Sequence, residues 1–236
     1  MSARPVRLLN AFAAARPEAQ FVEVGANDGR TLDPLASFID SHRWRGIMVE
    51  PVPHVFERLR RNFEDNPRVA VANVAIADRP GTRPFFHLAQ VEEGEEGREG
   101  PWWDDAIGSF DREHLLRHAD EIPRFQERLR EIEVPTTTLA ELCREHSLEP
   151  ELILIDAEGH DAEVIEAIDF ERTRPRLLIY EHCHLTAEES QRTDERLSSL
   201  GYELLVEGPD AWCLDLTVDD ELSAQWRGLI AAEPTP

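Results

Sequence analysis

Short apolar runs alternate with amphipathic stretches along most of the chain. The runs are typical of buried strands, and apolar residues spaced three or four positions apart are typical of helices that cover such strands. This alternation predicts parallel βαβ units. Strands are predicted at residues 20–24, 46–50, 69–74, 152–156 and 177–180, with a shorter strand at residues 85–88.

Turn and capping residues indicate where the helices begin. Asp33-Pro34 predicts a helix start, and Thr138 and Thr186 each begin a T-x-x-E capping box. Residues 202–206 and 212–216 flank a Gly-Pro pair and predict an antiparallel pair of strands that closes the sheet. The expected fold is a Rossmann-like α/β sandwich with a seven-stranded, mostly parallel sheet that contains one reversed strand.

The regular alternation is interrupted between residues 92 and 130. Residues 92–105 carry seven acidic residues, three glycines and a proline, which is typical of a loop. Residues 111–130 are strongly charged and predict helix, so residues 92–130 are expected to form an acidic loop and a helical lid. Residues 1–18 predict an N-terminal helix rather than a signal peptide, because polar residues interrupt their apolar run. One domain is expected for residues 1–236.

The charge of the chain restricts the classes of partner. The formal net charge is −23, from 25 basic and 48 acidic residues, and every basic residue is an arginine. Such a field repels phosphate, which argues against nucleic acids and anionic membranes as partners. No apolar run is long enough to span a bilayer. The three cysteines are scattered and show no disulfide pattern, so a cytoplasmic location is expected.

The turn after the first predicted strand, VEVGANDG, is the first motif that indicates chemistry. Its first glycine allows a tight turn and its second a close backbone approach to a ligand. The third glycine of dinucleotide-binding turns is missing, and the acidic side chains disfavour phosphates. They suit a ligand with ammonium and sulfonium groups, although an ordinary strand–turn–helix corner is the alternative. The candidate cofactor-binding residues here are Glu23, Gly25, Asn27, Asp28 and Gly29.

Polar residues at two further strand ends extend this candidate site. Glu50 ends the second strand, where an acid accepts the ribose hydroxyls of a nucleoside in many α/β sheets. Asn73 and Ala75 follow the third strand and are candidate contacts for adenine, with an ordinary strand terminus as the alternative.

The segment LILIDAEGHD, at residues 152–161, concentrates ionisable groups at the end of a buried strand. The carboxyl ends of strands in open α/β sheets are where ligands bind. The helix dipole accounts for acids in the first helical turn but not for Asp156 at the strand tip. Asp156, Glu158 and His160 are therefore candidate site residues, and Glu181 and His182 at the next strand tip face the same crevice.

These motifs in this order resemble the FkbM family of S-adenosylmethionine-dependent methyltransferases. VEVGANDG resembles the family's first nucleotide-binding motif, and Glu50-Pro51 its ribose-binding acid. Residues 152–165 are similar to the signature K-I-D-x-E-G-x-E, with Leu154 in place of the lysine. Ser109 lies where the family has a serine motif. The resemblance extends over about residues 21–216.

The resemblance implies a class I methyltransferase fold, S-adenosylmethionine as cofactor, and methylation of a hydroxyl on a small molecule such as a sugar or natural-product scaffold. Ser109, Asp156 and Glu158 join the implied cofactor-binding residues. The hydroxyl oxygen attacks the methyl group in line while a base removes its proton. His160 and His182 are the candidate bases, since imidazole titrates near neutral pH, with Asp156 as a third catalytic candidate.

A metal-assisted reaction is the second version of this hypothesis. Asp156, Glu181 and His182 are candidate ligands, and oxygen ligands favour Mg²⁺ or Mn²⁺. His114 and His118 lie four residues apart in the predicted lid helix and are candidates for substrate contact or for Zn²⁺, with isolated surface histidines as the alternative.

Two other classes of function remain open from the residues alone. One is an oxidoreductase linked to NAD or a nucleotide sugar, which the missing third glycine opposes. The other is a non-catalytic acidic module that binds a cationic partner. The sequence does not identify the acceptor, and homo-oligomer formation stays open.

Overall fold

The computed structural model describes residues 3–90, 101, 103, 104 and 107–231. Its strands are β1 (Gln20–Val24), β2 (Arg45–Val49), β3 (Val69–Ala72), β4 (Ala75–Ile76), β5 (Gly81–Leu88), β6 (Gly108–Ser109), β7 (Leu129–Thr137), β8 (Leu152–Ile155), β9 (Leu177–Glu181), β10 (Tyr202–Glu207) and β11 (Asp210–Asp215). Its helices are α1 (Ala3–Ala15), α2 (Ala36–Ser41), α3 (Pro53–Phe63), α4 (Arg112–Leu116), α5 (Phe125–Arg128), α6 (Leu139–His146), α7 (Asp161–Glu166), α8 (Ala187–Ser199) and α9 (Glu221–Ala231).

The main sheet has seven strands in the order β10-β11-β9-β8-β1-β2-β3. Every neighbouring pair is parallel except those of β11, which runs antiparallel to both β9 and β10. This confirms the predicted α/β sheet with one reversed strand. Val24 at the end of β1 lies opposite Val49 on one side and Ile155 on the other. The carboxyl ends of β1, β2 and β8 therefore lie side by side.

Helices cover both faces of this sheet, so its central strands are apolar at successive positions. In β8, Leu152 and Leu154 pack into one core cluster, whereas Ile153 and Ile155 pack into the other. The first cluster contains Trp44 together with residues of α1 and α9, and the second lies under α6, α7 and α8. The central strand β8 is buried on both faces and is apolar at every position, which is why the sequence identified it.

A second sheet of four strands, in the order β4-β7-β5-β6, was not predicted. The expectation of helix over residues 111–130 is correct only for the short helices α4 and α5, because β7 already begins at Leu129. β7 pairs antiparallel with β5 along its whole length. Its half-exposed sequence, LREIEVPTT, is charged and lacks an apolar run, so its pairing with β5 determines its conformation. The predicted acidic loop at 92–105 lies outside the described residues except at positions 101, 103 and 104.

Helix ends agree with the capping prediction in part. Thr186 forms a complete capping box with Glu189, whereas the Thr138 side chain accepts a hydrogen bond from the backbone of Glu141. Asp33 does not cap its helix in the expected way. The helix begins at Ala36, and the Asp33 carboxylate accepts a hydrogen bond from the backbone N–H of Leu35, one residue before the helix. Among the described residues, no helix is long and apolar enough to cross a membrane.

Candidate active site

A cleft lies where the carboxyl ends of β1, β2 and β8 face the second sheet. It encloses about 1090 Å³, including the solvent at its mouth. Its wall contains eight of the residues singled out from the sequence, which are Glu23, Gly25, Asn27, Glu50, Ala75, Asp156, Glu158 and His160. The second sheet and the segment before it contribute Phe85, Trp103, Ile107, Gly108 and Phe110.

Gly25 allows the turn after β1 to pass directly over the end of β8. Its φ is +75°, and a Cβ atom built on it would lie 1.7 Å from the carbonyl oxygen of Asp156. The N–H groups of Gly25 and Ala26 both donate to the carbonyl of Val49 at the end of β2, at 2.9 and 3.0 Å. The three strand ends are therefore held together at this one residue, and only glycine fits there.

Glu50 is buried at the floor of the cleft, with 3% of its surface exposed. One carboxyl oxygen accepts the N–H of Val52 at 2.8 Å, and the other accepts the N–H of Asn27 at 3.1 Å. Burial raises the pKa of Glu50 to about 8, against the opposing effect of these two hydrogen bonds. Loop geometry thus holds this carboxyl in a single orientation facing the cleft.

Glu23 and Asp33 form a pair of carboxyl groups in the same wall. Burial, followed by the charge of Asp33, raises the pKa of Glu23 well above its ordinary value, and burial raises the pKa of Asp33 to about 6. Protonated Glu23 can donate to Asp33, so the two groups share one proton. Asp33 belongs to the candidate site although the sequence indicated only a helix cap, because the pair forms only when the loop before α2 folds back onto β1.

Asp156 presents its carboxylate to the cleft at the tip of β8. Desolvation by the surrounding protein, followed by the charges of Glu158 and Asp161, raises its pKa well above the ordinary value. The described residues offer this carboxylate no hydrogen bond, so it remains available to a bound cation.

His160 lies at the start of α7, and its ring faces the cleft. The ring packs edge-on against Phe110, with centroids 4.9 Å apart, and Nδ1 lies 3.6 Å from a carboxylate oxygen of Glu163. Burial lowers the pKa of His160, with Glu163 acting in the opposite direction. A neutral imidazole with Nδ1 oriented toward Glu163 can accept a proton at Nε2.

Two predicted residues of the first turn, Asp28 and Gly29, lie outside the cleft wall. The Asp28 carboxylate accepts hydrogen bonds from Arg30 and Thr31, which hold its pKa below the ordinary value although burial raises it. Gly29, with φ +67°, adjoins core side chains, since an added Cβ would lie 2.5 Å from Phe63. The close approach at Gly29 is therefore to the hydrophobic core, not to a ligand, and Asp28 shapes the turn.

Asn73 and Ser109 also lie behind the wall. The Asn73 side chain donates to the carbonyls of Glu50 and Pro51, at 2.8 and 3.0 Å, and so braces the loop that carries Glu50. Ser109 is buried and donates from Oγ to the carbonyl of Glu158 at 2.8 Å. Asn73 and Ser109 therefore hold the backbone of cleft residues in place, whereas the neighbouring Ala75 itself lines the cleft.

The predicted metal ligands Asp156, Glu181 and His182 are not brought together. His182 is held beside the β10–β11 hairpin by its backbone N–H, which donates to the carbonyl of Pro209 at 2.9 Å. It does not line the cleft, which also removes the geometric basis for His182 as a base. The described side chains that do converge within metal-ligand distance form two different groups, and both include His184.

The sequence profile of the methyltransferase FkbM domain matches residues 23–204, from the first cleft residue to β10. This chain belongs to the FkbM methyltransferase family. The observed strand order confirms the class I methyltransferase fold. Family membership supports a methyltransferase with S-adenosylmethionine as donor, and it does not support the oxidoreductase or the acidic binding module.

The chain is similar to several solved structures, three of which are methyltransferases by name. The FkbM methyltransferase from Methylobacillus flagellatus is 14% identical, with a TM-score of 0.49, and the alignment covers 84% of this chain and 44% of that one. This chain therefore spans less than half of that protein. A methyltransferase from Geobacter sulfurreducens is 16% identical, with a TM-score of 0.42, and the alignment covers 92% of this chain and 80% of that one. Precorrin-6y C5,15-methyltransferase from Geobacter metallireducens is 10% identical, with a TM-score of 0.41, and the alignment covers 84% of this chain and 78% of that one. No curated protein sequence matches the chain.

Proposed function

We propose that this FkbM family member methylates a hydroxyl group of a small molecule, and that both cofactor and acceptor bind in the cleft. The observation that carries the proposal is the set of carboxyl groups around it, from Glu23, Asp33, Glu50, Asp156 and Glu158. Carboxylates at this density favour a cation and repel phosphates. S-adenosylmethionine has an ammonium and a sulfonium group, so the residues present fit it.

Each part of the cofactor has a fitting partner in the wall. Glu50, held by two backbone N–H groups, is placed to accept the ribose hydroxyls. The Glu23–Asp33 pair shares one proton and so keeps one negative charge, which suits the ammonium group. Ala75, with Val74 and Ile76 beside it, offers an apolar surface to adenine. The bound cofactor supplies an electrophilic methyl group.

His160 is the residue best placed to act as base. Its ring lines the cleft, and its lowered pKa keeps the imidazole neutral at neutral pH. Nε2 takes the hydroxyl proton as the oxygen gains a bond to carbon. The imidazolium that results is stabilised by Glu163, whose carboxylate lies 3.6 Å from Nδ1. Asp156 acts electrostatically in this proposal, because its carboxyl group lines the same space and a bound sulfonium favours the ionised form.

The acceptor side of the cleft is aromatic. Phe85, Trp103 and Phe110 line it, and the Arg83 guanidinium stacks over the Phe110 ring at 4.1 Å. Flat apolar surfaces of this kind stack on sugar rings or aromatic rings, which supports a sugar or natural-product scaffold as acceptor. A cytoplasmic location also forms part of the proposal, supported by three free thiols.

Isothermal titration calorimetry with S-adenosylhomocysteine tests the cofactor assignment. Wild type should bind it, and Glu50→Gln should weaken binding by at least about tenfold, because a hydrogen bond to a charged or buried acceptor contributes about 1.5–3 kcal/mol. Glu145→Gln, at an exposed position of α6, is the matched control and should bind like wild type. A folded wild-type protein that binds NAD but not S-adenosylhomocysteine would contradict the proposal.

A panel of hydroxylated sugars and phenols tests the acceptor class. Methyl transfer is measured as formation of S-adenosylhomocysteine together with a mass increase of one methyl group in the acceptor. Amines of matched structure serve as controls for N-methylation. Turnover of the amines and not of the hydroxyl compounds would refute the O-methylation part while leaving the cofactor assignment in place.

A further inference from the structure

A cluster of imidazoles and carboxylates lies beside the cleft, between the α4 segment and the chain that follows β8 and β9. Its members come from three separate stretches of sequence and are His114, His118, Glu158, Glu181 and His184. His114 lies in α4 and His118 just beyond its end, while His184 follows β9. His114 is 2% exposed, so the expectation of isolated surface histidines does not hold for it.

Three of these side chains have the separations of a metal site. His114 Nε2 lies 3.0 Å from Glu158 Oε2, and His184 Nε2 lies 3.9 Å from the same oxygen. The three ligand atoms all lie within 4.8 Å of one another. Zinc–nitrogen and zinc–oxygen distances of about 2.0–2.2 Å in a tetrahedral site place ligand atoms about 3.3–3.6 Å apart. The observed separations bracket this value.

The backbone admits the His114 ring at close range. Gly159 has φ +86°, and a Cβ atom built there would lie 2.9 Å from Nδ1 of His114. The preceding Glu158 also has a left-handed backbone, with φ +48°. A glycine and a strained glutamate in succession therefore bring the Glu158 carboxylate and the His114 ring together.

Two further polar atoms lie beside this trio. His118 Nε2 is buried and has no hydrogen-bond partner in the part of the chain that the structure describes, and Glu181 Oε2 lies 3.5 Å from His184 Nε2. The His118 ring lies edge-on to those of His114 and His184, with centroids 5.8 and 6.2 Å apart. Buried polar atoms are normally satisfied, so the His118 imidazole is a further nitrogen that a cation bound by the three converging ligands could attract.

We propose that His114, Glu158 and His184 bind one divalent transition-metal ion. Two imidazole nitrogens and one carboxylate oxygen suit Zn²⁺ and its neighbours in the first transition row, whereas Mg²⁺ and Ca²⁺ prefer all-oxygen sites. The ion replaces the hydrogen bond between His114 and Glu158. It joins α4 to the loops after β8 and β9, and its charge offsets the repulsion between the carboxylates there.

This site is distinct from the predicted Mg²⁺ or Mn²⁺ ligands, of which it includes none. It shares Glu158 with the cleft wall, so metal binding also fixes the position of one wall residue. The inference does not rest on methyl transfer, and its test requires no acceptor or cofactor.

Calorimetric titration of the chelator-treated protein with Zn²⁺ tests the site. Wild type should bind one equivalent, and Mg²⁺ should not compete. Loss of an outer partner alone lowers metal affinity by about 10–100-fold, so His114→Ala and His184→Ala should each lower it by at least about 100-fold. His146→Ala, at the end of α6, is the matched control and should bind like wild type. Circular dichroism establishes that each variant is folded.

A second measurement on unaltered protein keeps the test independent of variant folding. Diethyl pyrocarbonate acylates accessible imidazoles, and peptide mass spectrometry locates the products. Zn²⁺ should protect His184 and leave modification of His42 and His146 unchanged. Absence of a stoichiometric Zn²⁺ isotherm, or equal modification of His184 with and without Zn²⁺, would overturn the proposal. So would a 100-fold loss of affinity in Cys183→Ser, since that result assigns the ion to the other group, Glu181, Cys183 and His184.

Discussion

Replacing Gly25 by alanine tests the idea that one close backbone contact holds the strand ends of the cleft together. Gly208, in the β10–β11 hairpin, provides a matched control. Both glycines have a left-handed backbone, with φ of +75° at Gly25 and +67° at Gly208. A Cβ at Gly25 would lie 1.7 Å from the Asp156 oxygen, whereas nothing lies within 4 Å of one at Gly208. Both substitutions therefore place an alanine in a left-handed conformation, but only the one at Gly25 also creates a steric clash.

The expected magnitudes follow from these contacts. A left-handed conformation costs an alanine about 1–2 kcal/mol, and this is the whole effect expected at Gly208. A carbon and a carbonyl oxygen approach to about 3.3 Å, so the chain at Gly25 must move by more than 1 Å. That movement strains the two hydrogen bonds that the N–H groups of Gly25 and Ala26 donate to the carbonyl of Val49. Each hydrogen bond contributes about 0.5–1.5 kcal/mol to stability. The total for Gly25→Ala is about 2–5 kcal/mol.

Urea unfolding followed by tryptophan fluorescence measures both variants. Domains are stable by about 5–15 kcal/mol in total, so the Gly25 variant should unfold at a much lower urea concentration than the Gly208 variant. S-adenosylhomocysteine binding should also be weakened in the Gly25 variant alone. Equal losses of unfolding free energy in the two variants, to within about 1 kcal/mol, would refute the reasoning, because the shared cost of backbone conformation would then account for both.

Three further outcomes are expected. Because the pKa of Glu50 is about 8 in the fold against an ordinary 4.5, the folded state favours the protonated acid. The free energy of unfolding should therefore fall as pH rises from 4.5 to 8, and urea titrations of Glu50→Gln across this range should show a shallower fall. His160→Ala should lower turnover by about 10²–10⁴-fold without changing S-adenosylhomocysteine affinity, whereas His182→Ala should retain turnover; the reverse pattern in initial rates would move the base to His182. Ser109→Ala should cost about 1–3 kcal/mol in urea unfolding, since the half-buried carbonyl of Glu158 loses its donor.

Local sequence patterns predicted the main sheet because its strands are buried on both faces. The run Leu152–Ile155 is apolar at every position, and a short, wholly apolar run between turns has few alternatives to a central strand. Gly25, Glu50 and Asp156 were predicted to lie at adjoining strand ends, because parallel strands have their carboxyl ends at the same edge of a sheet. β7 could not be predicted in this way, because its charged residues face solvent and its partner β5 lies far away in sequence.

The sequence by itself determined the α/β architecture, the family and eight residues of the cleft wall, because these depend on apolar periodicity and on residues within one turn of a strand end. The tertiary structure decided which polar side chains meet. It pairs Glu23 with Asp33, leaves His182 outside the cleft wall, and brings His114 close to His184 across 70 positions of chain. Contacts of this kind depend on how the loops fold back over the sheet, and no local periodicity encodes that path.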